Sequence, residues 1–167
     1  GLFSMGLQDH SMVPLDPSNE DSGFQSLTLM KLVGMRLPDT IATYEARDGK
    51  LYFVTANEGD SREADERFQA ADEIRIKKVT LDGSFAPNVA DDNMFGRLKV
   101  SSIDGDTDED GDIDVLHSIG SRSFSIFTED GTLVLDSGND FEEITNAQFP
   151  NDFNSNNDEN DTFDSRS

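Results

Sequence analysis

Seven acidic side chains lie within the short stretch from Asp104 to Asp114, and no Lys or Arg lies among them. Carboxylates at this density must either spread into solvent or share a cation, because no neighbouring base neutralises them. Aspartates alternate along the stretch, Gly111 allows a sharp turn, and the aliphatic Ile113 precedes the last carboxylate. Alternation around a turn lets a short loop present the roughly six to eight oxygens that Ca2+ needs. The spacing therefore predicts a calcium loop at residues 104–116.

The ligands of this predicted loop follow from its spacing when Asp106 is taken as the first position. Side chains at the first, third, fifth and ninth positions, with a backbone carbonyl at the seventh, are ligands in the corresponding part of an EF-hand. The predicted set is Asp106, Asp108, Asp110, the backbone carbonyl of Asp112, and Asp114. The alternative is a solvated acidic loop that binds no ion.

The twelfth position and the flanking sequences exclude a complete EF-hand. His117 stands where an EF-hand needs a bidentate Glu, and imidazole is a poor ligand for a hard ion. Both flanks alternate apolar and polar side chains with many β-branched ones, which indicates strands rather than helices. The loop resembles the calcium loops of integrin-type β-propellers, in which a similar run joins two strands of one blade.

The composition of the whole chain narrows its partners. Its 167 residues carry a formal net charge of −22, which repels nucleic-acid phosphates and anionic lipid and attracts cations and basic surfaces. The absence of cysteine removes disulfides and thiolate catalysis. No apolar run approaches the roughly 18 residues that span a bilayer, so we predict no transmembrane segment.

Strand and turn signals predict mostly antiparallel β structure. An Asp-Gly turn at 47–50 closes a hairpin over 40–56, and a second turn at 129–131 closes another. The other strands are predicted at 26–35, 74–81, 97–103, 113–119, 123–128 and 132–136. Between them we predict a short helix or structured loop at 61–73, a long connection at 82–96 and one helical turn at 140–145.

The last four predicted strands suit one blade of a β-propeller, because a blade is four antiparallel strands joined by short turns. We therefore predict an all-β fold made of antiparallel propeller blades. Two clusters of strands cannot close a propeller, so we expect a fragment of a larger one, with the remaining blades in the same or another chain. The predicted divisions are an irregular segment at 1–25, blades with inserted loops at 26–145, and an acidic Asn/Asp-rich segment at 146–167.

Two further groups of oxygen donors are weaker candidates for metal ligation. Asn57, Glu58 and Asp60 follow a predicted strand on a Gly-containing turn, where they could bind a ligand or metal or could form only a hydrogen-bonded turn. Asp158 and Asp161 lie in a polar run that offers oxygen donors for a second calcium ion.

Three other residue types carry more limited predictions. Asn160 begins the one Asn-x-Ser/Thr sequon in the chain, so it is a predicted glycosylation site. Arg122 is predicted either to offset nearby carboxylates or to bind an anion. His10 and His117 are too isolated in sequence to indicate a catalytic triad.

Five stretches together match the motifs of a known family. They are LPDTIATYEA (37–46), YFVTANEGDSRE (52–63), GRLKVSSIDGDTDEDGDIDVLHSIGSRSFSIF (96–127), VLDSGNDFEEIT (134–145) and FNSNNDENDTFDSRS (153–167). They resemble the choice-of-anchor I family of secreted or surface-anchored β-propellers, which includes the mesenchyme-specific cell surface glycoproteins of biomineralising animals. The resemblance implies an extracellular location, anchoring through parts absent from this chain, and association with calcium mineral.

These observations predict an extracellular calcium-binding β-propeller module with a structural, adhesive or mineral- and matrix-associated role. Ca2+ is the predicted cofactor, and a binding protein is favoured over an enzyme. The alternative is a calcium-dependent phosphoesterase-like hydrolase, in which clustered carboxylates hold metals and Arg62 or Arg122 binds the phosphate. Turnover of a phosphoester that depends on Ca2+ and on Asp108 would favour the hydrolase.

Overall fold

The computed structural model describes residues 2–18, 23–61, 72–151 and 153. Within these ranges the protein is mostly β, with two short helices. The strands are β1 (Leu7–Asp9), β2 (Leu32–Met35), β3 (Thr40–Glu45), β4 (Leu51–Asn57), β5 (Glu73–Arg75), β6 (Lys99–Ser101), β7 (Leu116–Ile119), β8 (Ser123–Thr128) and β9 (Leu133–Asp136). A 3-10 helix spans Ile76–Lys78, and the α-helix α1 spans Asp140–Gln148.

The strands form two sheets. The first sheet has the order β1-β2-β7-β6-β5 and is mixed, because β2 and β7 run parallel, with Leu32 opposite Leu116. The second sheet, β3-β4-β8-β9, is antiparallel throughout. The predicted all-β class agrees with this architecture. The described strands form two open sheets rather than a closed ring of blades.

Both predicted Asp-Gly hairpins are confirmed. β3 and β4 pair in continuous register, and Gly49 takes the left-handed φ of 79° that their turn requires. β8 and β9 are joined by a turn in which Gly131 has a φ of 85°. The predicted strands that flank the acidic loop are also present, because β6 and β7 pair antiparallel with Val100 opposite Ser118.

Two predicted strands are shorter than their sequence patterns indicate. The strand predicted at 26–35 is reduced to β2, because Lys31 has a φ of 63° and turns the chain just before it. The strand predicted at 74–81 is reduced to β5, since the chain coils into the 3-10 helix at Ile76. The helical turn predicted at 140–145 is confirmed and extends to the end of α1.

Two predictions about the arrangement of segments are wrong. The last four strands do not form one blade, because β6 and β7 belong to the first sheet and β8 and β9 to the second. Left-handed φ values at Gly120 (76°) and Arg122 (53°) redirect the chain between them. The N-terminal segment at 1–25 is not wholly irregular, since β1 pairs with β2. Most of the predictions for 61–73 and 146–167 lie outside the described residues.

A compact apolar core packs around the first sheet. β2, β6 and β7 contribute side chains that are almost completely buried, and the 3-10 helix and the connection after it cover them. The buried members of this core are Leu15, Leu32, Ile76, Val89, Phe95, Leu98, Val100 and Leu116. The core therefore lies beside the strands that carry the acidic loop.

The buried face of the second sheet is polar at the end of β4 and the start of β8, and becomes apolar at Phe127 in β8. The Asn57 side chain donates to the hydroxyls of Ser123 and Ser125 at 3.1 and 2.7 Å and accepts from the Thr55 hydroxyl at 2.8 Å. Ser125 in turn donates to Asp136 at 2.6 Å. Buried polar groups need such partners, because an unpaired one costs about 1–3 kcal/mol. Hydrogen bonds therefore hold the polar part of this face together, beside the buried ring of Phe127.

Arg36 joins this polar layer to the first sheet. It follows β2, and its Nε lies 2.8 Å from Oδ2 of Asp136 in β9, while its Nη2 donates to Gln8 Oε1 in β1 at 2.8 Å. The side chains of Arg36 and Asp136 are only 6% and 11% exposed. This ion pair therefore connects strands of both sheets in the protein interior.

The outer face of the second sheet is apolar. Cross-strand register places four apolar residues in one row across the sheet: Ala42, Val54, Ile126 and Leu135. Tyr44 and Tyr52 stack beside this row with ring centroids 5.3 Å apart. Both edge strands of the sheet, β3 and β9, are largely exposed. An apolar sheet face of this kind is typical of a surface that another element covers.

We expect Asp136→Asn to lower the free energy of unfolding by about 3–5 kcal/mol at neutral pH, because it leaves the buried Arg36 guanidinium without a carboxylate. Burial opposes ionisation of Asp136, but hydrogen bonds from Ser125, Arg36 and Gly138 outweigh it and lower the pKa below the ordinary 3.8. A lowered carboxyl pKa stabilises the fold above the unfolded-state pKa, and that stabilisation disappears as pH falls through the folded-state pKa. The difference between the two proteins in urea unfolding should therefore narrow below pH 3.8.

Asp48→Asn is the matched control, because Asp48 pairs with Lys50 on the surface, where the two side chains are 53% and 70% exposed. An exposed pair of this kind contributes about 0–1 kcal/mol. Equal losses in the two variants would contradict the role given to the interior ion pair.

Candidate functional site

The acidic loop is closed at its base by backbone hydrogen bonds. The amides of Asp114 and Val115 both donate to the carbonyl of Gly105, at 2.8 and 3.0 Å. Gly105 has a φ of 115°, and a Cβ there would lie 2.2 Å from the Val115 carbonyl oxygen, so the site needs glycine. Gly111, predicted to make the turn, has a φ of 99°. The chain therefore folds back on itself and brings the two arms of the loop together.

Three of the predicted ligands converge in this loop. Carboxylate oxygens of Asp106, Asp108 and Asp114 lie within 4.8 Å of one another. None of the ion pairs between described residues involves these three side chains. Their mutual repulsion is therefore offset by no bonded cation from the described part of the protein.

Hydrogen bonds from the loop itself orient two of these carboxylates. The backbone amide and the hydroxyl of Thr107 donate to Asp114 Oδ2 at 2.8 and 2.6 Å. Asp106 accepts from the amides of Glu109 and Gly111 at 2.7 and 3.0 Å. Both bonds from Thr107 fall on Oδ2 of Asp114 and leave its Oδ1 available, and each oxygen of Asp106 accepts one bond and keeps a second lone pair, so the side chains are fixed and still able to bind a cation.

Charge repulsion and hydrogen bonding shift the acidities in opposite directions. The neighbouring charge of Asp110, then desolvation and the charge of Asp114, raise the pKa of Asp108 above its ordinary value. Hydrogen bonds from Thr107 lower the pKa of Asp114. A raised carboxyl pKa means that the charged form is disfavoured where it stands, and a bound cation would remove that penalty.

A fourth carboxylate, Asp82, reaches the loop from another part of the chain. The amide of Ile113 donates to the carbonyl of Thr80, and the amide of Asp82 donates to the carbonyl of Ile113. This parallel bridge places carboxylate oxygens of Asp82, Asp112 and Asp114 within 4.8 Å of one another. Asp114 therefore belongs to two groups of carboxylates.

One carboxylate oxygen of Asp112, in the second group, has no hydrogen-bond partner among the described residues. This atom, Oδ1, is buried. Desolvation, followed by the charges of Asp110 and Asp82, raises the pKa of Asp112. The spacing of the loop predicted only the Asp112 carbonyl as a ligand and did not include Asp82. The Asp-Gly pair at Asp82 was visible in the sequence, but the parallel bridge that brings it to the loop was not.

Lys31 distinguishes the two groups of carboxylates. Its Nζ lies 3.4 Å from Asp82 Oδ1 and donates to the Ser84 hydroxyl at 2.6 Å. The second group therefore has a basic side chain against one of its members. The group of Asp106, Asp108 and Asp114 has no ion-paired base among the described residues, although the charge of Lys31 acts on Asp114 at longer range, so it is the stronger cation site.

The remaining predicted ligands among the described residues join neither group of carboxylates. Asp110 belongs to neither group of carboxylates, and its Oδ1 accepts from the Asp112 amide at 3.1 Å. Asn57 is buried in the polar layer, while Glu58 and Asp60 are exposed and also belong to neither group. Arg62, Asp158, Asn160 and Asp161 lie outside the described residues.

A separate pocket of about 300 Å³ lies where the end of β4, the start of β8 and the helix α1 meet. Two motifs that the sequence analysis singled out, one around Asn57 and one around Arg122, come together in its wall. Its lining includes Asn57, Glu58, Arg122, Ser123, Phe141 and Glu142. Arg122 donates through Nη1 to Glu142 Oε1 at 2.7 Å and to the Asp16 carbonyl at 2.6 Å. The carboxylate that Arg122 offsets is therefore Glu142, on α1.

Two glycines hold the walls of this pocket in contact. A Cβ on Gly59 would lie 2.2 Å from backbone atoms of Gly120, and a Cβ on Gly120 would lie 2.1 Å from the Glu58 carbonyl oxygen. Both glycines have left-handed φ values, 90° and 76°. The loops that present Glu58 and Arg122 can therefore approach this closely only without side chains at these two positions.

The fold and the loop define a mostly β domain with an acidic hairpin loop between two strands of a mixed sheet. The family model of the choice-of-anchor I domain matches residues 1–167, and the chain belongs to that family. It is similar to the "Mesenchyme-specific cell surface glycoprotein" of Strongylocentrotus purpuratus, at 26% identity over 179 residues. The match covers 92% of this chain and 23% of that relative, so the chain spans less than a quarter of the relative's length. No solved structure matches the chain.

The family resemblance that the sequence motifs predicted is thus confirmed. In the part of the chain that the structure describes, none of the helices has the length and apolar character needed to cross a membrane.

We expect Gly120→Ala to lower the free energy of unfolding by more than Gly49→Ala. Both glycines have φ values near 80°, so both substitutions carry the left-handed penalty of about 1–2 kcal/mol. Only the new Cβ at Gly120 also collides with backbone, which adds about 1–3 kcal/mol of strain. Near Gly49 the closest atom to a new Cβ is a side-chain oxygen of Glu45 at 4.0 Å. Urea unfolding of the two variants measures the difference, and equal losses would show that the loops are not held in contact.

Proposed function

We propose that the chain is a calcium-binding module of a surface-associated protein, and that the ion binds at Asp106, Asp108 and Asp114. One observation carries the proposal. Three carboxylates with no bonded base from the described residues converge within 4.8 Å in a loop that is closed at its base. Such an arrangement is electrostatically costly when empty and favourable when a cation is shared.

Calcium suits this loop better than other common ions. All the available donors are oxygens, which favour hard cations over zinc or copper. Mg2+ demands near-ideal octahedral geometry and gives up its waters reluctantly, whereas Ca2+ accepts six to eight ligands in flexible geometry. The Asp112 carbonyl, the nearby Asp110 and solvent would complete the shell. With three converging carboxylates on an exposed loop, we expect the weak affinity of extracellular modules, a Kd of about 10⁻⁴–10⁻³ M.

The extracellular setting is part of the proposal. The relative is by its name a cell surface glycoprotein, and its match covers 92% of this chain. A Kd in the range given above suits extracellular calcium, which is far more abundant than cytosolic calcium. The net charge of −22 further supports association with calcium mineral or a basic matrix surface, because it concentrates divalent cations around the protein.

A larger β-propeller remains the architecture that we propose for the complete protein. The second sheet has four antiparallel strands, as a blade does, although its strands are not consecutive in the chain. Its apolar outer face is a surface that a neighbouring blade would cover. The second calcium site at Asp158 and Asp161 and the glycan at Asn160 stay predictions.

No contact in the described structure favours the hydrolase alternative. Phosphate binding next to a metal needs a cationic side chain directed at the metal. The Nη1 of Arg122 is bonded to Glu142 and Asp16, and neither belongs to the carboxylate groups of the acidic loop.

The test is calorimetric titration of calcium into the protein, together with thermal unfolding in calcium and in chelator. If the unfolded chain binds no ion, saturation at a hundredfold excess over Kd stabilises the fold by about 2.7 kcal/mol. For a domain of this size that corresponds to a rise in melting temperature of roughly 5–11 °C. We expect Asp114→Asn to abolish both the heat of calcium binding and the rise in melting temperature, because Asp114 is shared by the two carboxylate groups.

Glu109→Gln is the matched control, since it removes the same single charge from the same loop at a residue that belongs to neither group. It should bind calcium almost as the unchanged protein does. Asp82→Asn distinguishes the two groups of carboxylates. The site at Asp106, Asp108 and Asp114 does not use the Asp82 side chain, so this variant should also still bind calcium. If Asp114→Asn and Glu109→Gln bound calcium equally, the loop would be a solvated acidic turn and the proposal would fail.

A further inference from the structure

The guanidinium of Arg122 is nearly buried but only partly bonded. Its side chain is 13% exposed, and Nη1 makes both of its hydrogen bonds, to Glu142 and to the Asp16 carbonyl. Within the described part of the chain, Nε and Nη2 donate to no protein atom. Arginine carries five N–H groups in a rigid plane, and the remaining donors, which are not among the buried unpaired atoms of the described residues, are open to solvent or to a ligand. The pocket that Arg122 lines is where such a ligand can enter.

The charges around the pocket disfavour an anion as the acceptor of hydrogen bonds from Arg122. Glu142 already neutralises Arg122 at 2.7 Å, and Glu58 adds a further carboxylate to the lining. The whole chain carries a net charge of −22, which repels anions over long range. The groups that fit this field are uncharged hydroxyls, whose oxygens can accept hydrogen bonds from Arg122 and whose O–H groups can donate to Glu58.

Phe141 adds an apolar surface to the same pocket. Its ring is 52% exposed, and the ring of Phe124 packs against it at 6.0 Å between centroids. A half-exposed aromatic ring that is supported from one side offers a flat platform to a ligand. The pocket volume of about 300 Å³ lies at the small end of the range for ligand pockets and holds roughly one or two sugar rings.

We propose that this pocket binds a neutral saccharide, with one sugar face on Phe141 and its hydroxyl oxygens bonded to Nε and Nη2 of Arg122. A saccharide combines the two properties that the pocket demands, because one molecule carries many uncharged oxygens and an apolar C–H face. Glu58 accepts a hydrogen bond from a further hydroxyl. The site uses none of the carboxylates assigned to calcium, so it does not depend on the function proposed above.

The experiment is titration of the full chain with methyl glycosides of glucose, galactose, mannose and N-acetylglucosamine, followed by saturation-transfer NMR. At least one neutral glycoside should bind, and Phe141→Ala should weaken its binding by about tenfold through loss of the platform. Phe149→Ala is the matched control. Phe149 is a similarly exposed aromatic at the other end of α1, outside the pocket lining, and its loss should leave binding unchanged.

Arg122→Lys keeps the charge beside Glu142 but removes the planar donors, so it should also weaken binding while the protein stays folded, as circular dichroism would show. Binding should persist in chelator, because the pocket contains none of the carboxylates assigned to calcium. Binding of glucuronate or inorganic sulfate without any neutral glycoside would overturn the proposal, as would loss of sugar binding in chelator. Binding that survives Phe141→Ala, or the absence of binding by all four glycosides, would also overturn it.

Discussion

The ion pair between Arg36 and Asp136 is the contact through which the two sheets become one structure. It joins the end of β2 to β9, and the same guanidinium reaches β1 through Gln8. The carboxylate continues into the hydroxyl and amide chain of Ser125 and Asn57. A buried ion pair contributes little net stability against an apolar pair, but removing one member leaves an uncompensated charge. Directional hydrogen bonds and this ion pair therefore fix the position of the second sheet. The apolar face of that sheet points outward.

The two candidate sites are positioned by different elements around the contact between the two sheets. The acidic loop extends from β6 and β7, which rest on the apolar core of the first sheet, and its base is closed by the carbonyl of Gly105. The Arg122 pocket lies where the chain leaves the first sheet for the second, and the backbones of Gly59 and Gly120 pack closely beside the loops that carry Glu58 and Arg122. A rigid scaffold with functional loops at its junctions is the usual arrangement in binding domains.

Local patterns in the sequence predicted what local physics determines. The Asp-Gly turns, the strands beside the acidic loop and the convergence of Asp106, Asp108 and Asp114 all depend on residues that are close in the chain. The parallel pairing of β2 with β7, the arrival of Asp82 at the loop and the pairing of Arg122 with Glu142 depend on distant residues. Alternation gave no hint that part of the buried face of the second sheet would be polar, because small serines and threonines satisfy either environment. The single-blade prediction failed at Gly120 and Arg122, where backbone conformation rather than hydrophobic pattern redirects the chain.

The pairing of strands that are distant in the sequence determines when each sheet can fold during synthesis. Leu32 in β2 pairs with Leu116 in β7, and β4 pairs with β8, so the central strands of both sheets must wait for partners that the ribosome makes much later. Until then only local hairpins such as β3–β4 can form, while apolar strand edges stay open to other nascent chains. Folding is therefore expected to be slow and largely post-translational for this region, and calcium cannot assist before the acidic loop itself has left the exit tunnel.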